Sequence, residues 1–139
     1  MSATVLYTPQ VLALAVELAA VPWDESLPFK GEARSASCGS TIAMGLATNA
    51  AGAITRLAVR SQACAIGQAA AAIFVRGASG LTPAQVREAG DAVMLWLADE
   101  GGMPDWPDLS ILAPAKDYPA RHGAVMLPWK AASTALPSA

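Results

Sequence analysis

Residues 40 to 60 alternate. Ile42, Met44 and Leu46 take every second place among Thr41, Ala43, Gly45 and Ala47. Thr55, Leu57 and Val59 do the same among Arg56, Ala58 and Arg60. A period of two means an extended chain with one face turned to a core. Between the two runs, Asn49-Ala50-Ala51-Gly52 offers residues that tolerate positive φ. The pattern requires a hairpin over about 40–48 and 53–60, with one covered face and one wetter face. Phe29 to Ala36 has a weaker apolar pattern and is expected as an edge strand beside it.

The chain on either side of these strands reads as helix. Thr8-Pro9 is a capping residue followed by proline at the first helical position. Val11, Leu12, Ala15 and Leu18 then predict an amphipathic helix over about 9–20, which Pro22 ends. Residues 21–28 read as a loop anchored by Trp23. From Ala65 to Val75 the chain is mostly alanine with Ile66, Ile73 and Phe74, a composition suited to a central, buried helix closed by Gly77 and Gly80. Thr82-Pro83 repeats the start signal for a helix to about Glu100. Pro104, Pro107 and Pro114 make 101–119 a loop with at most a short helix near 109–112, and a last helix is expected over about 120–132. Trp96, Trp106 and Trp129 are expected in the core or covering it.

Strands followed by a run of helices indicate an α+β fold: a small antiparallel sheet of about three strands with helices packed on one face. The 139 residues suit a single domain over 1–139, large enough to bury a core without metals or disulfides.

Composition excludes several functions. A net charge of −2 without a Lys/Arg block gives no electrostatic basis for binding nucleic acid. No apolar run reaches the ~18 residues of a membrane span. Val11 to Val21 comes nearest, but Glu17 interrupts it and no positive cluster precedes it, which argues against a signal peptide. A cytoplasmic location is expected. There is no Gly-rich phosphate loop and no Ser/His/Asp arrangement, so the chain does not read as an enzyme.

The chemistry that remains rests on two cysteines and one histidine. Cys38 lies in a Ser-Cys-Gly loop ahead of a strand, where Gly39 permits tight backbone geometry. Cys64 falls at the start of a helix, where unpaired N–H groups favour a thiolate. The hairpin carries both thiols to the same end of the sheet. His122 opens the last helix and could point toward that end, making a third ligand of the kind zinc or iron accepts. The alternative is that Cys38 and Cys64 are small buried hydrophobes and His122 is a surface residue.

Laid out in order, these features resemble the iron–sulfur cluster assembly scaffold family, the NifU N-terminal-like or IscU/SufU type, and its Suf-like branch in particular. Leu6-Tyr7-Thr8-Pro9-Gln10-Val11-Leu12 is similar to the family's opening motif. Ser37-Cys38-Gly39 resembles its first ligand loop, and Cys64-Ala65-Ile66 after the hairpin resembles its second. Tyr118-Pro119-Ala120-Arg121 through Leu127-Pro128-Trp129-Lys130-Ala131 resembles the Suf-type ending. The resemblance implies a scaffold that binds iron or a cluster, or accepts sulfur on Cys38, with a cysteine desulfurase and iron–sulfur apo-proteins as partners and a homodimer possible. It also implies ligands in the order Cys, Asp, Cys, Cys. Here those positions hold Cys38, Ser40, Cys64 and Ala124. Any iron–sulfur cluster or zinc is therefore expected to be held weakly or not at all, unless His122, solvent or a second chain contributes. Two alternatives follow: a cluster-less module that keeps the fold for contacts with a desulfurase or target protein, and a zinc form using Cys38, Cys64 and His122.

Overall fold

The computed structural model describes residues 6–137. Helix α1 spans Pro9–Glu17 and runs into a 3₁₀ turn over Leu18–Ala20. Its cap is the expected one, with Thr8 Oγ1 accepting the Val11 N–H at 3.2 Å. Three antiparallel strands follow in the order β1 (Phe29–Arg34), β2 (Thr41–Thr48) and β3 (Ile54–Gln62). Phe29 pairs with Leu46 and Arg34 with Thr41, while Thr41 also pairs with Gln62 and Leu46 with Leu57. A register shift at Ala47/Thr48 lets the hairpin turn. Helices α2 (Ala65–Ala78), α3 (Pro83–Leu97) and α4 (His122–Ala135) follow, with 3₁₀ helices over Leu109–Asp117 and Pro119–Arg121 between the last two.

The sheet is packed by helix on the side carrying Ile42, Met44 and Leu46, all fully buried. Helix α4 crosses this side so closely that a Cβ on Gly31 would lie 2.5 Å from the Ala131 carbonyl oxygen and 2.5 Å from the Ala135 nitrogen. Glycine at position 31 is what lets the β1 backbone touch a helix backbone.

The other side is drier than the alternation suggested. Ala43 and Ala58 are also buried, because loop 21–28 folds over them and its Leu27 meets the position of a Gly45 Cβ at 3.4 Å. Leu27, rather than Trp23, anchors this loop. Trp23 lies half-buried under the Arg60 guanidinium, 4.3 Å from its ring centre.

Helix α2 lies at the centre, with its alanines Ala69 to Ala72 buried. Beside it Phe74, Trp106 and Trp129 form a three-ring cluster with centroids 5.2 to 5.6 Å apart, and Trp106 Nε1 donates to the Ile73 carbonyl at 2.8 Å. Segment 101–119 departs from its expectation. Leu109–Asp117 forms a 3₁₀ helix of 9 residues, longer than the short helix expected. Leu109, Leu112 and Ala115 are its buried residues, a spacing of three that matches the three-residue turn of this helix.

Candidate functional site

Cys38 sits near the tip of a loop that the sheet itself closes. The Ser35 N–H donates to the Ser40 carbonyl at 2.8 Å and the Gly39 N–H donates to the Ser35 carbonyl at 2.8 Å. Gly39 takes φ +73°, which a side chain would strain. The loop is pinned sideways where Ser37 Oγ donates to the Ala120 carbonyl at 2.8 Å, just ahead of α4. Cys38 is exposed while Ser35 and Ser40 beside it are buried.

Ser40 connects the two thiol-bearing residues. Its hydroxyl oxygen accepts from Cys38 Sγ at 3.1 Å and from the Cys64 backbone N–H at 3.1 Å. Cys64 is the N-cap of α2 and is half-buried against the core. The hairpin thus brings Cys38 and Cys64 to one end of the sheet, as the alternation required.

Arg121 supplies the positive charge. Its guanidinium bonds to the Tyr7 hydroxyl and lies within electrostatic reach of both sulfurs. Its Nε is buried and has no hydrogen-bond partner among the described residues.

This environment acts on Cys38. Hydrogen bonds from the Ser35 hydroxyl and then the Ser40 hydroxyl favour the thiolate. The Ser40 backbone N–H and the Arg121 charge act in the same direction, and partial burial opposes them. Together they lower the Cys38 thiol to about 7. Ser35 and Arg121 had not been singled out as site residues from the sequence. Ser35 is packed against the start of α4, where a Cβ on Gly123 would lie 2.8 Å from Ser35 Oγ.

His122 is committed elsewhere, with Nε2 2.8 Å from the Lys116 carbonyl oxygen. Among the described residues, no three His, Cys, Asp or Glu side chains come together as a metal site, so His122 does not complete a set with Cys38 and Cys64. Ala124 is fully buried in the first turn of α4. Its carbonyl oxygen lies 3.8 Å from the position of a Gly67 Cβ, one turn along α2 from Cys64. A ligand at position 124 would thus enter the same end of the fold, but alanine has none to offer. Two thiols and a neutral hydroxyl fall short of the four ligands of a structural zinc site, and the donor set does not fit a resident metal. No helix among the described residues is long and apolar enough to cross a membrane.

No protein-family model matches the chain, and neither does any curated protein. Solved structures do match. The N-terminal part of a nitrogen-fixing NifU-like protein from Brucella abortus superposes with a TM-score of 0.85 at 28% identity, covering 95% of this chain and 92% of that one. A candidate iron–sulfur cluster assembly scaffold protein for the SUF system from Fervidobacterium islandicum superposes with a TM-score of 0.83 at 19% identity, covering 98% and 100%. These likenesses span nearly the whole of each chain. By structure, the protein has the fold of the NifU-like N-terminal domain and is similar to it over nearly the whole chain.

Proposed function

We propose that this protein works in iron–sulfur cluster biogenesis, in a Suf-like setting, as an acceptor of sulfur on Cys38. The observation that carries the reading is the Cys38 loop. It presents an exposed thiol, lowered to about 7, on a backbone fixed by hydrogen bonds at both ends. A thiol with that acidity is substantially ionised near neutral pH, and the thiolate is the form that attacks sulfur. The likeness to a NifU-like protein and to a candidate SUF-system scaffold supports the setting. The short ligand set favours sulfur acceptance over holding a finished cluster.

The partner for this step is a cysteine desulfurase carrying a persulfide on its own cysteine. The Cys38 thiolate attacks the outer sulfur of that persulfide. The donor's S–S bond breaks, a new S–S bond forms on Cys38, and the desulfurase cysteine leaves as a thiolate. No outside oxidant is needed, because the sulfane sulfur changes carriers without changing oxidation state.

The test is to incubate the protein with a Suf-type cysteine desulfurase and free cysteine, then measure intact mass. The expected result is a gain of one sulfur atom, located by peptide mapping to Cys38 and absent from Cys38→Ser. Unchanged mass under conditions where the desulfurase turns over would refute the reading.

A further inference from the structure

We propose that Cys64 is a resolving thiol, and that a persulfide formed on Cys38 collapses within the chain to a Cys38–Cys64 disulfide with release of sulfide. The inference rests on Cys38 as the sulfur-bearing residue, and it concerns the next step. The geometry is that of the Ser40 hydroxyl. Its two 3.1 Å contacts, laid end to end, keep Cys38 Sγ within twice 3.1 Å of the Cys64 nitrogen. The ladder gives the same answer: Thr41 pairs with Gln62, so the segment just before Thr41 runs alongside the segment just after Gln62. Disulfides need Cα atoms roughly 4.4 to 6.8 Å apart, a range that includes the roughly 4.5–5.5 Å between opposed residues of antiparallel strands, and turning side chains about χ1 moves the sulfurs toward each other.

What separates this site from a metal-holding one is what stands between and behind the thiols. A carboxylate at position 40 and a thiolate at 124 could share a metal with both cysteines. Ser40 and Ala124 leave the two thiols without a metal-ligand group among the described residues, and both cysteines are free. The step balances. The Cys64 thiolate attacks the inner sulfur of the Cys38 persulfide, and the S–S bond of the persulfide breaks. The outer sulfur leaves with its electron pair as hydrosulfide. The two cysteines are oxidised to the disulfide, and the sulfane sulfur is reduced by the same two electrons. Arg121, cationic and within electrostatic reach of both sulfurs, favours the build-up of negative charge as the anion departs. A second turnover requires a dithiol reductant to reopen the disulfide.

The experiment loads the full chain with glutathione persulfide, removes excess reagent by rapid desalting, and follows mass and free sulfide anaerobically. Wild type is expected to end as an intramolecular disulfide, two hydrogens lighter, with about one sulfide per chain as the step's stoichiometry dictates. Cys64→Ser and Cys64→Ala should keep the added sulfur on Cys38, with persulfide lifetimes at least about tenfold longer if resolution depends on the attacking thiol. A wild-type persulfide that lasts as long as in both Cys64 variants overturns the inference, and so does a disulfide found only between chains. A parallel arm with a cysteine desulfurase separates the two readings. If the desulfurase fails to load Cys38 while the chemically loaded protein still releases sulfide, the acceptor role fails and the resolving role stands. If the desulfurase loads Cys38 and the persulfide persists with or without Cys64, the reverse holds.

Discussion

The acidity of Cys38 comes mainly from neutral hydroxyls, and removing them should make its reaction-rate profile cross that of the parent protein. The perturbation is Ser35→Ala with Ser40→Ala, in a Cys64→Ser background so that one thiol is followed. The two hydroxyls are the largest influences holding the thiol at about 7, so their joint loss should return it toward the ordinary value near 8.5. At pH 6 about a tenth of the parent thiol is ionised, against about 0.3% of the variant, a ratio of roughly 30. The less acidic thiolate is the better nucleophile. With a Brønsted slope of about 0.45, a shift of roughly 1.5 units makes each variant thiolate about fivefold more reactive. The net expectation is about sixfold slower alkylation at pH 6, equal rates near about pH 8, and about fivefold faster alkylation at pH 10. The sign follows from the lowered pKa. The reactive form is retained on going down in pH until about 7, and the variant loses it earlier. Iodoacetamide rates followed by intact mass across pH 5.5 to about 10 cover this range. Parallel profiles without a crossing would refute the hydrogen-bond account, since they would mean access rather than ionisation had changed. Ser40→Ala alone should give a smaller shift, because the Ser35 hydroxyl is the larger influence.

Four further outcomes are expected. Ser40→Asp combined with Ala124→Cys should gain about one zinc per chain by elemental analysis, while wild type purified without added metal stays below about a tenth, because four ligands are what a structural site uses. Gly31→Ala should cost about 1–3 kcal/mol or more in urea unfolding, since its Cβ would collide with the α4 backbone at 2.5 Å. Trp106→Ala should cost about 3–5 kcal/mol by the same measurement, through loss of a ring packed on Phe74 and Trp129. Thr82→Ala should cost about 0.5–2 kcal/mol, because the capping box at the start of α3 uses that side chain.

Sequence alone determined most of the architecture, and for local reasons. The two-residue alternation around Asn49 to Gly52 specified the hairpin. The Thr-Pro pairs at 8–9 and 82–83 marked two helix starts, because a capping oxygen and a preset φ act within one turn. The placement of Cys38 and Cys64 at one sheet end followed from the same hairpin. Tertiary structure decided what local pattern could not. Loop 21–28 covers the second sheet face through Leu27, a contact between segments that no periodicity links. Leu109, Leu112 and Ala115 reveal their spacing of three only once the core that buries them is in place. At the site, sequence could mark Ser40 and Ala124 as departures from a ligand pattern, but it could not say what stands there instead. That depends on where distant segments meet. Ser40 faces Cys64 across the sheet end, Arg121 arrives ahead of α4, and His122 turns to the Lys116 carbonyl instead of the thiols. A hydroxyl's partners and a thiol's acidity are set by groups within a few ångströms in space, and here those groups come from three separate parts of the chain.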